Sequence, residues 1–159
     1  MFLEPDYNLE SIYDIDIMEL KEARIFALFF DLDSTIMKSK SGKFAFRTIQ
    51  FLNDLRTNFK IAIITNNKKR SYIAKTRSQI DVPIYPDAKK PKTDTLLKAC
   101  RDLNVPPENV AMIGDRPLSD ILAGKRANMM TILVDSISKE DENPLVRGVR
   151  FLERLTVKK

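Results

Sequence analysis

Histidine is absent from the 159 residues, and its absence removes whole mechanisms. Ser-His-Asp and Cys-His activation of a nucleophile, and phosphohistidine chemistry, all need an imidazole. Cysteine is nearly absent too. Cys100 stands alone, so an intramolecular disulfide and a Cys-rich zinc site are both excluded. A cysteine-phosphatase loop fails on spacing, because it wants an arginine six residues past the nucleophile and Pro106 occupies that position. Long apolar runs are also missing. The longest, Ile25 to Phe30, is far too short to cross a bilayer, and the first residues lack the basic start and apolar stretch of a secretion signal. The chain therefore reads as cytoplasmic, with peripheral contact at the inner membrane surface left open. Carboxylates, lysines, hydroxyls and a bound metal remain for difficult chemistry.

With 43% apolar and 31% charged residues, the composition suits one globular domain over residues 1–159 with a substantial core. Runs rich in branched or aromatic residues at 25–30, 61–64, 110–113 and 131–134 read as strands buried on both faces, with a weaker fifth near Val82 to Tyr85. Between them, Ala45, Ile49, Leu52 and Leu55 recur at helical spacing, as do Leu96, Leu97, Cys100 and Leu103. This alternation predicts an α/β three-layer sandwich: a five-stranded, mainly parallel sheet, helices on both faces, and ligand sites beyond the carboxyl ends of the strands. Ile12, Tyr13, Ile15 and Ile17 are expected to pack beside the sheet. Leu145, Val149, Leu152 and Leu155 share one helical face, with Arg147, Arg150 and Arg154 elsewhere, and that apolar face is expected in the core.

The residues just past the strand ends carry the chemistry. Asp31-Leu32-Asp33-Ser34-Thr35 follows the first run and Thr65-Asn66-Asn67 the second. Lys89-Lys90-Pro91 follows the weak strand, and Gly114-Asp115, with Asp120 close behind, follows the fourth. Carboxylates at successive strand exits, with a lysine and hydroxyls between them, are a candidate reaction centre.

In chain order, DLDST, IITNN, KKPK and GDRPLSD resemble the four motifs of the haloacid dehalogenase (HAD) superfamily phosphatases. The resemblance implies Asp31 as nucleophile and Asp33 as general acid and then base. It implies Thr65 and Asn66 at the substrate phosphate and Lys90 neutralising both that group and Asp31. Mg²⁺ would be held by Asp31, Asp115 and the backbone carbonyl of Asp33, with Asp120 an outer-shell ligand or a guide for Lys90. Asn66 and Asn67 also suit a turn. Ser34 departs from the Asn expected in the closest relatives, a change bearing on the turn more than on the chemistry. Physical chemistry asks for the same set: a carboxylate approaching a phosphate dianion meets like-charge repulsion that a divalent ion and an ammonium must cancel.

Many HAD phosphatases insert a cap domain after the first motif or between the second and third. Here only residues 36–43 precede the first helix, and one helix and one strand use up the 24 residues between Thr65 and Lys90, so the site is expected to lack a cap and to lie open. Most of the chain resembles the YqeG-like branch of HAD subfamily IIIA, similar to eukaryotic phosphatidylglycerophosphate phosphatases. That resemblance implies hydrolysis of the terminal phosphate of phosphatidylglycerophosphate in phospholipid biosynthesis. A net charge of +5 and basic residues in three loops (Lys38, Lys40 and Lys43; Lys68, Lys69 and Arg70; Lys89, Lys90 and Lys92) suit an anionic membrane surface. The alternatives are a phosphoprotein, a nucleic acid end or a soluble phosphate as substrate, an oligomeric neighbour as lid, and a receiver-like phosphoacceptor domain that stores the phosphoryl group. Nucleic acid is disfavoured because no aromatic-interleaved basic stretch is present. The receiver reading is disfavoured because both leading acids follow the first strand.

Overall fold

Alternate residues of the apolar strands feed two separate cores. In the computed structural model, which describes residues 3–138 and 143–157, β2 (Ala27–Phe30) sends Leu28 and Phe30 to one side of the sheet and Ala27 and Phe29 to the other. Strands β3 (Lys60–Ile64) and β5 (Val110–Gly114) divide in the same way: Ile61, Ile63, Ala111 and Ile113 join the first core, and Ala62, Ile64, Val110 and Met112 the second. Burial on both faces is why these strands read as continuous apolar runs rather than as alternating ones.

The sheet is completed by β1 (Tyr7–Leu9), β4 (Ile84–Tyr85) and β6 (Met130–Val134), in the order β1-β6-β5-β2-β3-β4 with every pairing parallel. Six strands therefore stand where the sequence predicts five. The extra one, Tyr7-Asn8-Leu9, is an edge strand with its outer side open, so it carries no apolar run to announce it. Its register, Tyr7 opposite Ile132, is fixed by the preceding Asp6, whose carboxylate accepts from the Thr131 N–H at 2.8 Å.

Helices α1 (Ile17–Glu22), α2 (Phe46–Leu55) and α3 (Arg70–Arg77) cover the first core through Leu20, Leu52, Leu55 and Ile73. Helices α4 (Asp94–Leu103) and α5 (Leu122–Arg126) cover the second through Leu96, Ala99, Cys100 and Ala123. Ile12 and Ile15 are buried, and Tyr13 and Ile17 pack against the first core, as expected of that segment. Among the described residues no cap domain interrupts the alternation, and no helix is long and apolar enough to cross a membrane.

Helix α6 (Pro144–Arg154) overturns one expectation. Leu145, Val149, Leu152 and Leu155 do not enter the core; they are exposed, Leu145 at 77% and Leu152 at 63%. The opposite, charged face turns inward instead, because the strand ends it lies against present carboxylate and carbonyl oxygens that an arginine can satisfy and a leucine cannot.

Candidate functional site

Asp31 continues the ladder of β2 by one step, its N–H donating to the Ile113 carbonyl at 2.9 Å, so its side chain stands at the carboxyl edge beside the end of β5. Lys90 reaches it from the loop after β4. The Lys90 ammonium donates to Asp31 Oδ1 at 2.8 Å, to Asp120 Oδ1 at 2.7 Å and to the Ile64 carbonyl at 2.8 Å. Three N–H groups thus meet three acceptors in a place where the lysine side chain is 1% exposed. Burial alone would lower the Lys90 pKa, but Asp120 and Asp31 outweigh it and hold the group above its ordinary value. Lys90 is therefore part of the buried centre, a correction to its grouping with the rim lysines, while Lys89 and Lys92 on either side are exposed.

Asn66 fixes the lysine's backbone. Its side-chain oxygen accepts from the Lys90 N–H at 2.8 Å and its amide nitrogen donates to the Lys90 carbonyl at 3.1 Å, latching the loop after β4 to the loop after β3. Thr65 is buried next to it, its hydroxyl accepting from the Asn67 N–H at 3.1 Å.

Asp115 follows Gly114 at the end of β5. The Thr35 hydroxyl lies 2.8 Å from Asp115 Oδ1 and 3.3 Å from Asp31 Oδ2, so it links the two acids. Asp120 belongs to a π-helical turn over Pro117–Ile121 and folds back beneath the strand end, where its second oxygen accepts from the Arg116 N–H at 3.1 Å. Gly114 is what allows this: a Cβ at that position would overlap the Asp120 carboxylate. Burial, reinforced by the Asp31 carboxylate, pushes the Asp115 pKa up to about 8 and that of Asp120 up to about 6. Oxygen atoms of Asp31, Asp115 and Asp120 all lie within 4.8 Å of one another. A cluster of hard carboxylate oxygens suits Mg²⁺, which prefers oxygen ligands and retains several waters.

Asp33 points away from that cluster. Tyr72, from α3, donates to Asp33 Oδ1 at 2.5 Å and the Lys40 N–H approaches the same oxygen at 3.3 Å. Burial and the Asp33 carboxylate both raise the Tyr72 pKa, so the phenol keeps its proton as donor. Between the two aspartates, Ser34 adopts a left-handed backbone (φ 71°), a conformation that Asn tolerates better than Ser does, and its hydroxyl donates to Ser138 at 3.2 Å. The departure at Ser34 thus falls on the turn.

Sequence reasoning missed the groups that α6 contributes. Arg150 pairs with Asp115 Oδ2. Arg116 makes a two-pronged bond to the buried Glu153 at 2.9 and 3.0 Å, and Arg154 donates to the Val134 carbonyl at 2.7 Å. Spacings of three and four residues place Arg150, Glu153 and Arg154 on one face, and that polar stripe was the available signal. Tyr72 lies outside any motif and gave none.

Fold and site are similar to those of HAD-like hydrolases. Residues 88–154 match the family model described as HAD-hydrolase-like. The chain is 28% identical to the probable phosphatase YqeG of Bacillus subtilis over 141 residues, 88% of this chain and 81% of that protein. A stretch of 48 residues, 30% of this chain and 14% of the relative, is 42% identical to phosphatidylglycerophosphate phosphatase 1 of Arabidopsis thaliana. Solved structures share the fold. A HAD phosphatase from Thermococcus onnurineus superposes with a TM-score of 0.58 at 17% identity, covering 75% of this chain and 89% of that one. A haloacid dehalogenase-like hydrolase from Streptococcus pneumoniae gives 0.56 at 14% identity, covering 80% and 99%.

Proposed function

We propose that this domain hydrolyses phosphate monoesters through an aspartyl-phosphate on Asp31, with Mg²⁺ as cofactor, and that its substrate is phosphatidylglycerophosphate. The observation carrying the chemistry is the Lys90 ammonium held between Asp31 and Asp120. A carboxylate that must attack a phosphate dianion is here already paired with a buried cation. In this reading an oxygen of Asp31 bonds to phosphorus while the P–O bond to the leaving alkoxide breaks, and Asp33 gives that alkoxide its proton. Asp33 then takes a proton from water, whose oxygen attacks phosphorus, releasing inorganic phosphate and restoring Asp31. Lys90 and Thr65 bind phosphoryl oxygens, and the Asn66 side chain acts by holding Lys90 in place. Tyr72 fixes the orientation of the Asp33 carboxyl. Asp31, Asp115 and the Asp33 backbone carbonyl would hold Mg²⁺, with Asp120 behind them; the ion supplies positive charge against the phosphoryl oxygens.

The lipid substrate draws its support from the Arabidopsis relative, similar over 48 residues, and from the absence, among the described residues, of a cap over the strand ends. Purified protein, with Mg²⁺ and with EDTA, should be offered phosphatidylglycerophosphate, a phosphopeptide, a 3′-phosphorylated oligonucleotide and an aryl phosphate. Turnover of the lipid in Mg²⁺, lost in EDTA and in Asp31→Asn, is expected. Full Mg²⁺-dependent activity in Asp31→Asn would refute the nucleophile assignment. Activity confined to the other three substrates would refute the lipid assignment alone.

A further inference from the structure

We propose that α6 is an interfacial helix that seats the catalytic edge on an anionic bilayer. The inference rests on the reading of a membrane-borne substrate and names the surface that would reach it. The helix is tied down at the site by Arg150, Glu153 and Arg154, which bond Asp115, Arg116 and the Val134 carbonyl. Its outward face is Leu145, Val149, Phe151, Leu152 and Leu155, all exposed, and the only acid in the helix, Glu153, is buried on the inward side. The helix lies across the carboxyl ends of β5 and β6, so that face is turned away from the sheet at the edge where Asp31, Asp115 and Asp120 gather.

A cleft of about 440 Å³ beside Thr35 has the buried Ile36, Met37 and Phe44 in its floor and the exposed Ile137 at its rim. Exposed lysines rim the same edge: Lys40 and Lys43 after β2, Lys68 and Lys69 after β3, Lys89 and Lys92 after β4. Apolar surface ringed by cations is the complement of a bilayer, whose anionic headgroups attract lysine while the acyl boundary accepts leucine and phenylalanine.

A second copy of the chain is a weaker occupant. Eleven helical residues span about 16 Å and present a face about 10 Å wide. That falls short of the roughly 800 Å² per partner that a stable interface buries.

The test is flotation of the whole chain with phosphatidylcholine vesicles, with and without phosphatidylglycerol, comparing wild type with L145E/L152E. Wild type should float with the anionic vesicles, and the double variant should lose at least tenfold in partitioning while keeping its melting temperature and its turnover of a soluble aryl phosphate. Equal flotation of the two proteins would overturn the inference. So would a wild-type dimer in light scattering that the double variant abolishes, because the face would then be an interface between copies. Phosphatidylglycerophosphate in detergent micelles separates the two readings. No micellar turnover with flotation intact sinks the lipid substrate and leaves the docking face standing, whereas unaltered flotation sinks the docking face whatever the micellar rate.

Discussion

Lys90→Met offers the sharpest test of how the site is held together. Methionine nearly matches the lysine stem in length but removes the ammonium, leaving the Asp120 carboxylate, 1% exposed, without its cation and the Ile64 carbonyl without its donor. Breaking a buried pair from one side costs about 3–5 kcal/mol. For a chain of this size each kcal/mol moves the melting temperature by about 2–4 °C, so a fall of roughly 6–20 °C is expected. The loss should be smaller at pH 5 than at pH 8, because Asp120, already pushed up to about 6 by burial, can escape the penalty by taking a proton.

Asp120→Asn added to Lys90→Met removes the stranded charge and should return most of the lost stability. Activity should not recover with it. Losing one preorganised charge at a reacting group costs about 10²–10³ in kcat, and the neutral amide at position 120 supplies no replacement. Circular dichroism melts at the two pH values, run beside aryl phosphate turnover, read both quantities on the same samples. A Lys90→Met protein melting within about 2 °C of wild type at pH 8 would refute the argument that burial makes this pair obligatory.

Gly114→Ala should drive the Asp120 carboxylate off Lys90, because the new methyl overlaps it; overpacking of this kind costs about 1–3 kcal/mol, and phosphatase activity should fall at least tenfold, checked by melting and initial rates. Tyr72→Phe keeps the ring and deletes one hydrogen bond to a carboxylate, about 1.5–3 kcal/mol, so kcat should drop about 10- to 100-fold with KM little changed in steady-state assays. Metal-free protein should lose stability as pH rises: carboxyls whose native pKa is raised stabilise the fold fully below about pH 4 and cease to as pH passes about 6 for Asp120 and about 8 for Asp115. Mg²⁺ needs the deprotonated acids, so its stabilising effect in thermal melts should be larger at pH 8 than at pH 6. Arg150→Ala frees an Asp115 oxygen that a divalent ion also requires and should tighten Mg²⁺ binding about tenfold by calorimetry.

The sequence was most legible where burial acts on both faces of an element. Strands β2, β3, β5 and β6 announced themselves because two cores demand unbroken apolar runs, and the motif residues stand directly past the carboxyl ends of those runs. Tyr7–Leu9 was missed for the reverse reason: an edge strand of three residues with one polar member has no periodicity to detect. Asp31, Lys90, Asp115 and Asp120 were legible as a set since each sits within a few residues of a strand end. What joins them is long range and was not legible. The Tyr72 bond to Asp33 spans 39 residues and the Arg150 pair with Asp115 spans 35, and neither leaves a local pattern.

The orientation of α6 was misjudged because hydrophobic burial was weighed alone. Leu145, Phe151, Leu152 and Leu155 are each more than half exposed, and covering what remains visible of them is worth roughly 4–8 kcal/mol. Against that stands the inward face. Asp31, Asp115 and Asp120 gather three carboxylates at one strand edge while Lys90 supplies a single cation, and Arg150 brings a second one to Asp115. The two-pronged Arg116–Glu153 bond adds to the charged side of the balance. The orientation adopted satisfies these charges and leaves a large apolar area uncovered. A bilayer against the outward face would cover the leucines without withdrawing Arg150 from Asp115. The need for charge at the catalytic centre and the apolar surface turned to the outside are then two consequences of one helix orientation.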